Sequence, residues 1–315
     1  MNERSGPLPE EHALDALRDR LLTVIAIPVT PFSPDGAVDW DTHAALIDRC
    51  VEQGAQVLTA NGNTGEYYAL DEGEARRTLE ATVKAADGRA EVMAGVGLSV
   101  PAAVAAARHA REVGASSVLV HQPAHPYRSA EGWVDYHQEI ADAVPELGVV
   151  LYVRDPRVTG QEIRELGERC GNVIAVKYAV PDPVRFASVA RDAGLARFAW
   201  ICGLAESYAP AYWAMGAGGF TSGLVNVVPK LSQAMLHDLR GGDFQAAIRH
   251  WESIRGFEEL RTQDGAADNV SVVKEALSQL GLASRAVRPP SSELPPARRA
   301  RVATQIARWR EEGWL

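Results

Sequence analysis

With 315 residues, the chain is long enough for two small domains or for one α/β barrel with extra helices, and 46% hydrophobic and 23% charged residues are ordinary for a globular protein. A net charge of −9 leaves no basic stripe to neutralise phosphates, which excludes nucleic-acid binding as a main function. Cys50, Cys170 and Cys202 stand singly, which excludes a disulfide framework and a structural zinc site; each reads as a small buried hydrophobe.

Residues 1–22 carry mixed charges and no apolar core, so they do not read as a signal peptide. No stretch approaches the ~20 apolar residues that span a bilayer, so no membrane partner and a cytoplasmic setting are expected. Residues 10–21 predict a helix packed under or beside the main fold. From there, short β-branched runs alternate with amphipathic stretches rich in Ala, Glu and Arg. Strands are predicted at 23–29, 56–60, 91–95, 117–121, 149–152, 173–177, 198–202 and 218–222, with helices between them such as 41–53, 71–86, 101–113 and 133–143. Asp41 and Asp71 stand where N-caps belong, Pro101 suits a first helical position, and Gly54, Gly114 and Gly194 close helices. Apolar strands alternating with helices predict a parallel sheet covered on its faces, and eight such units without a long linker favour a closed (β/α)8 TIM barrel over an open sheet.

After Pro229 come helices without strands, at 230–240, 244–261 and 270–280, and a proline-rich stretch at 288–296 precedes a basic helix at 297–312. The expected organisation is a helical segment 1–22, a barrel core 23–229 and a helical extension 230–315. Arg298, Arg299, Arg301, Arg308 and Arg310 suggest either a partner site or, better supported, a solvated face balanced by Glu311 and Glu312.

In such barrels the chemistry sits where strands end. The sixth strand closes on Lys177 after four apolar residues. Burial there lowers the amine's pKa, and a neutral amine attacks a carbonyl to form an imine. The alternative is a lysine snorkelling to the rim or paired with a carboxylate. The fifth strand closes on Tyr152, one unit earlier, where a phenol either shuttles protons or simply sits wet at an interface. Past the second strand, Gly62-Asn-Thr-Gly-Glu66 crowds glycines and small polar residues; exposed N–H groups and the Thr64 hydroxyl suit a carboxylate, although glycine and asparagine also make plain turns. It lacks the Gly-Lys-Ser/Thr ending of a phosphate loop.

Taken with Pro28-Val-Thr-Pro-Phe32 and Ser222-Gly-Leu-Val-Asn-Val-Val-Pro229, these segments resemble the dihydrodipicolinate synthase / N-acetylneuraminate lyase superfamily over residues 22–280. The resemblance implies that Lys177 forms the imine, that Tyr152 is the acid/base, and that Thr64 with the backbone of Asn63 and Gly65 holds the substrate carboxylate. It also implies a homotetramer, a dimer of dimers, with no metal or organic cofactor. Two positions depart from the synthase of lysine biosynthesis: Asn63 stands for a threonine, and His125 for a tyrosine lent by a neighbouring subunit, so that activity is not expected. Tyr152-Val-Arg-Asp-Pro-Arg157 and Gly65-Glu-Tyr-Tyr-Ala-Leu70 instead resemble the 5-dehydro-4-deoxyglucarate dehydratase branch, although Val153 and Tyr178 depart from it.

Arg154 and Arg157 are therefore candidates for the far carboxylate of an acidic substrate, with a structural pairing of Arg154 to Asp155 or Asp182 as the alternative. His121 and His125 read as acid/base groups, as partners of substrate hydroxyls, or as structural histidines. The expected activity is a Schiff-base lyase acting on a small-molecule 2-oxo deoxy sugar acid, a dehydratase ahead of a pyruvate-dependent aldolase of sialate or 2-keto-3-deoxygluconate type. A non-catalytic oxo-acid sensor is the alternative outside enzymes.

Overall fold

The computed structural model describes residues 9–315, with side chains from residue 13; residues 1–8, part of the expected N-terminal segment, lie outside the described residues. The eight predicted strands all form: β1 (Val24–Ala26), β2 (Val57–Ala60), β3 (Glu91–Val96), β4 (Ser117–Val120), β5 (Gly148–Val153), β6 (Val173–Tyr178), β7 (Ala199–Cys202) and β8 (Gly219–Ser222). Every neighbouring pair is parallel, and β1 pairs with β8, closing the (β/α)8 barrel. Helices α2 (Trp40–Glu52), α3 (Glu72–Ala86), α4 (Val100–Glu112), α5 (Ala130–Asp142), α6 (Gly160–Arg169), α7 (Pro183–Ala193) and α8 (Ala205–Ala214) surround it. Outside this ring stand α1 (Pro9–Arg20) before the barrel and α9 (Pro229–Gly241), α10 (Phe244–Ala266), α11 (Asn269–Gln279) and α12 (Pro296–Glu311) after it. No described helix is long and apolar enough to cross a membrane.

Local chemistry explains several boundaries. Asp71 caps α3 in a full capping box with Glu74, as expected. Helix α2 is capped by Asp39 rather than Asp41, because the Asp39 carboxylate accepts from the Thr42 N–H at 3.0 Å and leaves Asp41 in the first turn. Ser99 caps α4, which puts Pro101 at the second helical position rather than the first. Strand β1 is shorter than its apolar run because the Val29 N–H turns to the Asn226 side chain at 3.0 Å instead of to a neighbouring strand.

Alternation along the strands sorts the core into two shells. Val150 and Tyr152 of β5, and Ala175 of β6 with Ala179 just beyond it, point into the barrel. Val149, Leu151, Val153, Val176 and Tyr178 point out into the layer beneath the helices. Leu17 of α1 and Leu21 just after it plug the N-terminal end of the barrel, so that helix packs under the barrel, one of the two placements expected. All three cysteines are buried and unpaired with one another.

Candidate active site

The period of two that turns Ala175 and Ala179 inward also turns Lys177 inward. Lys177 is directly across the β5–β6 ladder from Tyr152, and its Nζ lies 4.3 Å from the centroid of the Tyr152 ring. Gly203 makes room for the lysine stem: a Cβ there would stand 3.0 Å from Lys177 Cγ and 2.7 Å from Ala179 Cβ. Lys177 is only 3% exposed, and among the described residues no carboxylate lies within ion-pair distance of it. Loss of hydration pulls its pKa down to about 7, and the Arg154 charge pulls the same way, while Cys202 opposes them. At neutral pH much of the amine is therefore unprotonated.

Tyr152 is buried, which raises its phenol pKa and keeps it protonated at neutral pH. Asn63 Nδ2 donates to Tyr152 Oη at 3.2 Å, leaving the phenol proton free for a ligand. Asn63 and Thr64 open a single 3-10 turn, Asn63–Gly65, whose first N–H groups have no acceptor within the turn. The Thr64 side chain is itself buried at this turn. Both residues line a cavity of about 350 Å³ together with Tyr152, Arg154 and Lys177 at the C-terminal ends of the strands. A cavity of about 440 Å³ at the opposite end, beside Arg20, Arg89 and Glu91, is lined by neither Lys177 nor Tyr152.

Arg154 is exposed and makes no ion pair among the described residues. The expected alternative partners are occupied: Asp155 pairs with Arg128 at 3.1 Å and Arg157 at 2.7 Å, and Asp182 caps α7 by accepting from the Arg185 N–H at 2.9 Å. Arg154 thus brings an uncommitted guanidinium to the cavity that contains Lys177.

Three other expected residues are not brought to the cavity. Arg157 is held on the outer surface by Asp155, which its backbone N–H also contacts at 2.8 Å. His125 lies in an exposed loop, where its Nδ1 contacts the Tyr127 backbone. Gly65 spends its N–H on the Gly62 carbonyl at 2.9 Å, and its own carbonyl accepts from Thr30 Oγ1 at 2.7 Å. His121 is structural: Nε2 donates to the Asn61 carbonyl at 2.9 Å and the ring stacks on Tyr67 at 4.6 Å. Burial pulls its pKa down to about 4, so it is neutral at ordinary pH.

The roof of the cavity comes from helices outside the barrel. Helix α10 runs past the predicted end at 261 and kinks at Gln263, Asp264 and Gly265. Arg261 pairs with Glu258 at 2.7 Å, and its Nη2 donates to Asn269 Oδ1 at 3.0 Å. Gly223 accommodates that guanidinium: a Cβ there would meet Arg261 Nη2 at 2.6 Å and Thr64 Cγ2 at 3.2 Å. Arg298 of α12 bridges Asp264 at 2.5 Å and Asp268, fixing the kink. Arg298, Arg299 and Arg308 of the basic helix are thus in intramolecular pairs rather than on a bare face. Sequence reading missed Glu258, Arg261 and Asn269, because only the tertiary fold brings α10 and α11 over the strand ends; the i,i+3 spacing of Glu258 and Arg261 was the one local signal.

Comparison with known proteins agrees with this geometry. A model of the dihydrodipicolinate synthetase family matches residues 20–308. A probable 5-dehydro-4-deoxyglucarate dehydratase of Leptothrix cholodnii is 31% identical over 90% of this chain and 94% of its own. The 5-dehydro-4-deoxyglucarate dehydratase of Pseudomonas putida is 29% identical over 87% and 90%. The crystal structure of dihydrodipicolinate synthase from Bacillus clausii superposes with a TM-score of 0.90 at 38% identity, covering 93% of this chain and 99% of that one.

Proposed function

This chain belongs to the dihydrodipicolinate synthetase family and is a class I lyase, and from that premise we propose that it dehydrates a 2-oxo sugar acid with a second carboxylate, of the 5-dehydro-4-deoxyglucarate kind. The observation that carries this reading is Arg154 in the same cavity as Lys177, whose pKa is pulled down, neither having an ion-pair partner among the described residues. A second carboxylate is the ligand group that a free guanidinium there accommodates best. The names of the relatives at about 30% identity support it independently.

In this mechanism the N–H groups of Asn63 and Thr64 and the Thr64 hydroxyl hold the carboxylate beside the keto group. Neutral Lys177 attacks the keto carbon; the carbinolamine loses water and leaves a protonated imine. The imine nitrogen draws electrons from the neighbouring C–H bond, whose proton passes to a base, and the pair becomes an enamine. The enamine pair then expels the hydroxyl of the next carbon, which leaves as water on receiving a proton from Tyr152. Hydrolysis of the unsaturated imine restores Lys177. Asn63 steadies the Tyr152 phenol but cannot relay its proton, since a carboxamide neither gains nor loses one near neutrality. A chain of hydroxyls into Tyr152, as a threonine at position 63 would begin, is interrupted here.

The 38% identity to a dihydrodipicolinate synthase favours a second reading, in which the imine is made with pyruvate and a carbon–carbon bond is formed or broken. Borohydride trapping separates the two. The protein is incubated with pyruvate or with 5-dehydro-4-deoxyglucarate, reduced, and mapped by peptide mass spectrometry. We expect an adduct of the dicarboxylic acid on Lys177, part of it lighter by one water. An adduct with pyruvate alone would favour the second reading, and no adduct in folded protein would reject Lys177 as nucleophile.

A further inference from the structure

Glu66 ends the turn that carries Asn63 and Thr64, in a left-handed conformation with φ of 55°. A non-glycine residue takes that conformation only when its surroundings hold it there. What holds it is an ion pair with Lys274 of α11, both side chains being buried. The Arg288 N–H donates to the other carboxylate oxygen, Glu66 Oε1, at 3.1 Å. Lys274 also donates to the Ala286 carbonyl at 2.9 Å, and its Nζ lies 3.9 Å from the centroid of the Phe32 ring. The Arg288 guanidinium lies 4.3 Å from that ring's centroid and donates to Glu74 and to the Ala69 carbonyl. Phe32, the last residue of the motif after β1, thus sits among two cations that both secure the segment after β2.

Helix α11 also has a second attachment. It opens at Asn269, which lines the catalytic cavity and binds Arg261, and five residues on it supplies Lys274 behind the turn. One rigid helix therefore touches both the roof of the cavity and the back of its carboxylate-holding turn.

We infer that Glu66 and Lys274 form a positioning pair, which sets the Asn63–Thr64 turn against the barrel and keeps it in register with the roof. The inference rests on the proposed role of that turn in holding the substrate carboxylate. An apolar pair of similar volume would fill the same space without the desolvation of two charges. What the ion pair adds is direction, because a carboxylate flanked by Lys274 and the Arg288 N–H has one orientation. Burial pulls Lys274 down to about 8 while Glu66 and its hydrogen bond oppose that, so the lysine is charged at neutral pH.

The test uses the Lys274→Met variant and, because a lone buried carboxylate can prevent folding, the Glu66→Gln/Lys274→Met double variant, which buries no unpaired ion. Hydrogen exchange and steady-state kinetics are measured on the full chain. We expect amide exchange at residues 62–66 and 262–269 to rise together in both variants. KM for the oxo acid should rise at least tenfold with kcat changed by less than about threefold, and borohydride should still modify Lys177. If the double variant exchanges and turns over like wild type, or if Tm alone falls while KM is unchanged, the pair is only structural and the inference fails. Because exchange does not depend on turnover, a wild-type protein that traps no oxo acid would sink the proposed function while the coupling of the two segments is still measured.

Discussion

Lys177 Nζ stands over the face of the Tyr152 ring, 4.3 Å from its centroid, on the neighbouring strand and in register. Burial pulls the amine down to about 7, with the Arg154 charge acting the same way. In the proposed mechanism the neutral amine attacks, so imine formation should rise with pH through about 7 and level off above it. The rate of borohydride-trappable adduct against pH measures this, and a midpoint near that of a free lysine would contradict it.

Tyr152→Phe keeps the ring under Lys177 and removes only the hydroxyl that Asn63 contacts. Turnover should fall on the order of 10²–10⁴-fold, the usual contribution of a general acid/base. The trapped adduct should persist and carry the mass of undehydrated oxo acid. Loss of the adduct itself would place Tyr152 earlier, in imine formation.

Arg154→Met removes from the cavity a guanidinium that has no ion pair among the described residues. KM for a dicarboxylic oxo acid should rise roughly 10–100-fold, the equivalent of about 1.5–3 kcal/mol for a charge-assisted hydrogen bond. Pyruvate, with no second carboxylate, should be trapped as before at a pH well above the midpoint of adduct formation. The midpoint for adduct formation should also move up, since Arg154 helps to hold Lys177 down. Equal losses for both acids would show that Arg154 does not read the far carboxylate.

His43, His121 and His137 are buried, and burial pulls each down to about 4. In the unfolded chain each titrates near about 6.5. Between those values the unfolded state binds protons that the folded state refuses, so stability is complete above about pH 6.5 and falls as pH drops toward 4. Thermal melts from neutral pH down into that window check this; a flat Tm across it would show that the histidines become protonated in place.

The barrel and the pairing of Lys177 with Tyr152 at its rim were legible because they rest on local pattern. Eight apolar runs of strand length mark the sheet, and Lys177 and Tyr152 stand out as polar residues ending two of them. Arg157 and His125 lie away from the cavity, which sequence order does not reveal, since it says nothing about which neighbour binds a side chain first: Asp155 holds Arg157, and the Tyr127 backbone engages His125. Arg154 was legible as a candidate, and only the fold shows that Asp155 and Asp182, its alternative partners, are engaged elsewhere. Glu66 was visible in its motif while Lys274 was not, since a lysine within a helical pattern reads as solvated until a fold buries it.

Order of synthesis gives the roof a further consequence. The strands carrying Tyr152 and Lys177 are complete by residue 178, but the kink above them is pinned by Arg298, far later in the chain. A growing chain therefore holds Lys177 and Tyr152 together long before the cavity above them has its roof. Until α12 emerges and Arg298 reaches Asp264 and Asp268, an imine formed on Lys177 would stand open to water, so the nascent barrel should be folded in its strands yet idle as a catalyst.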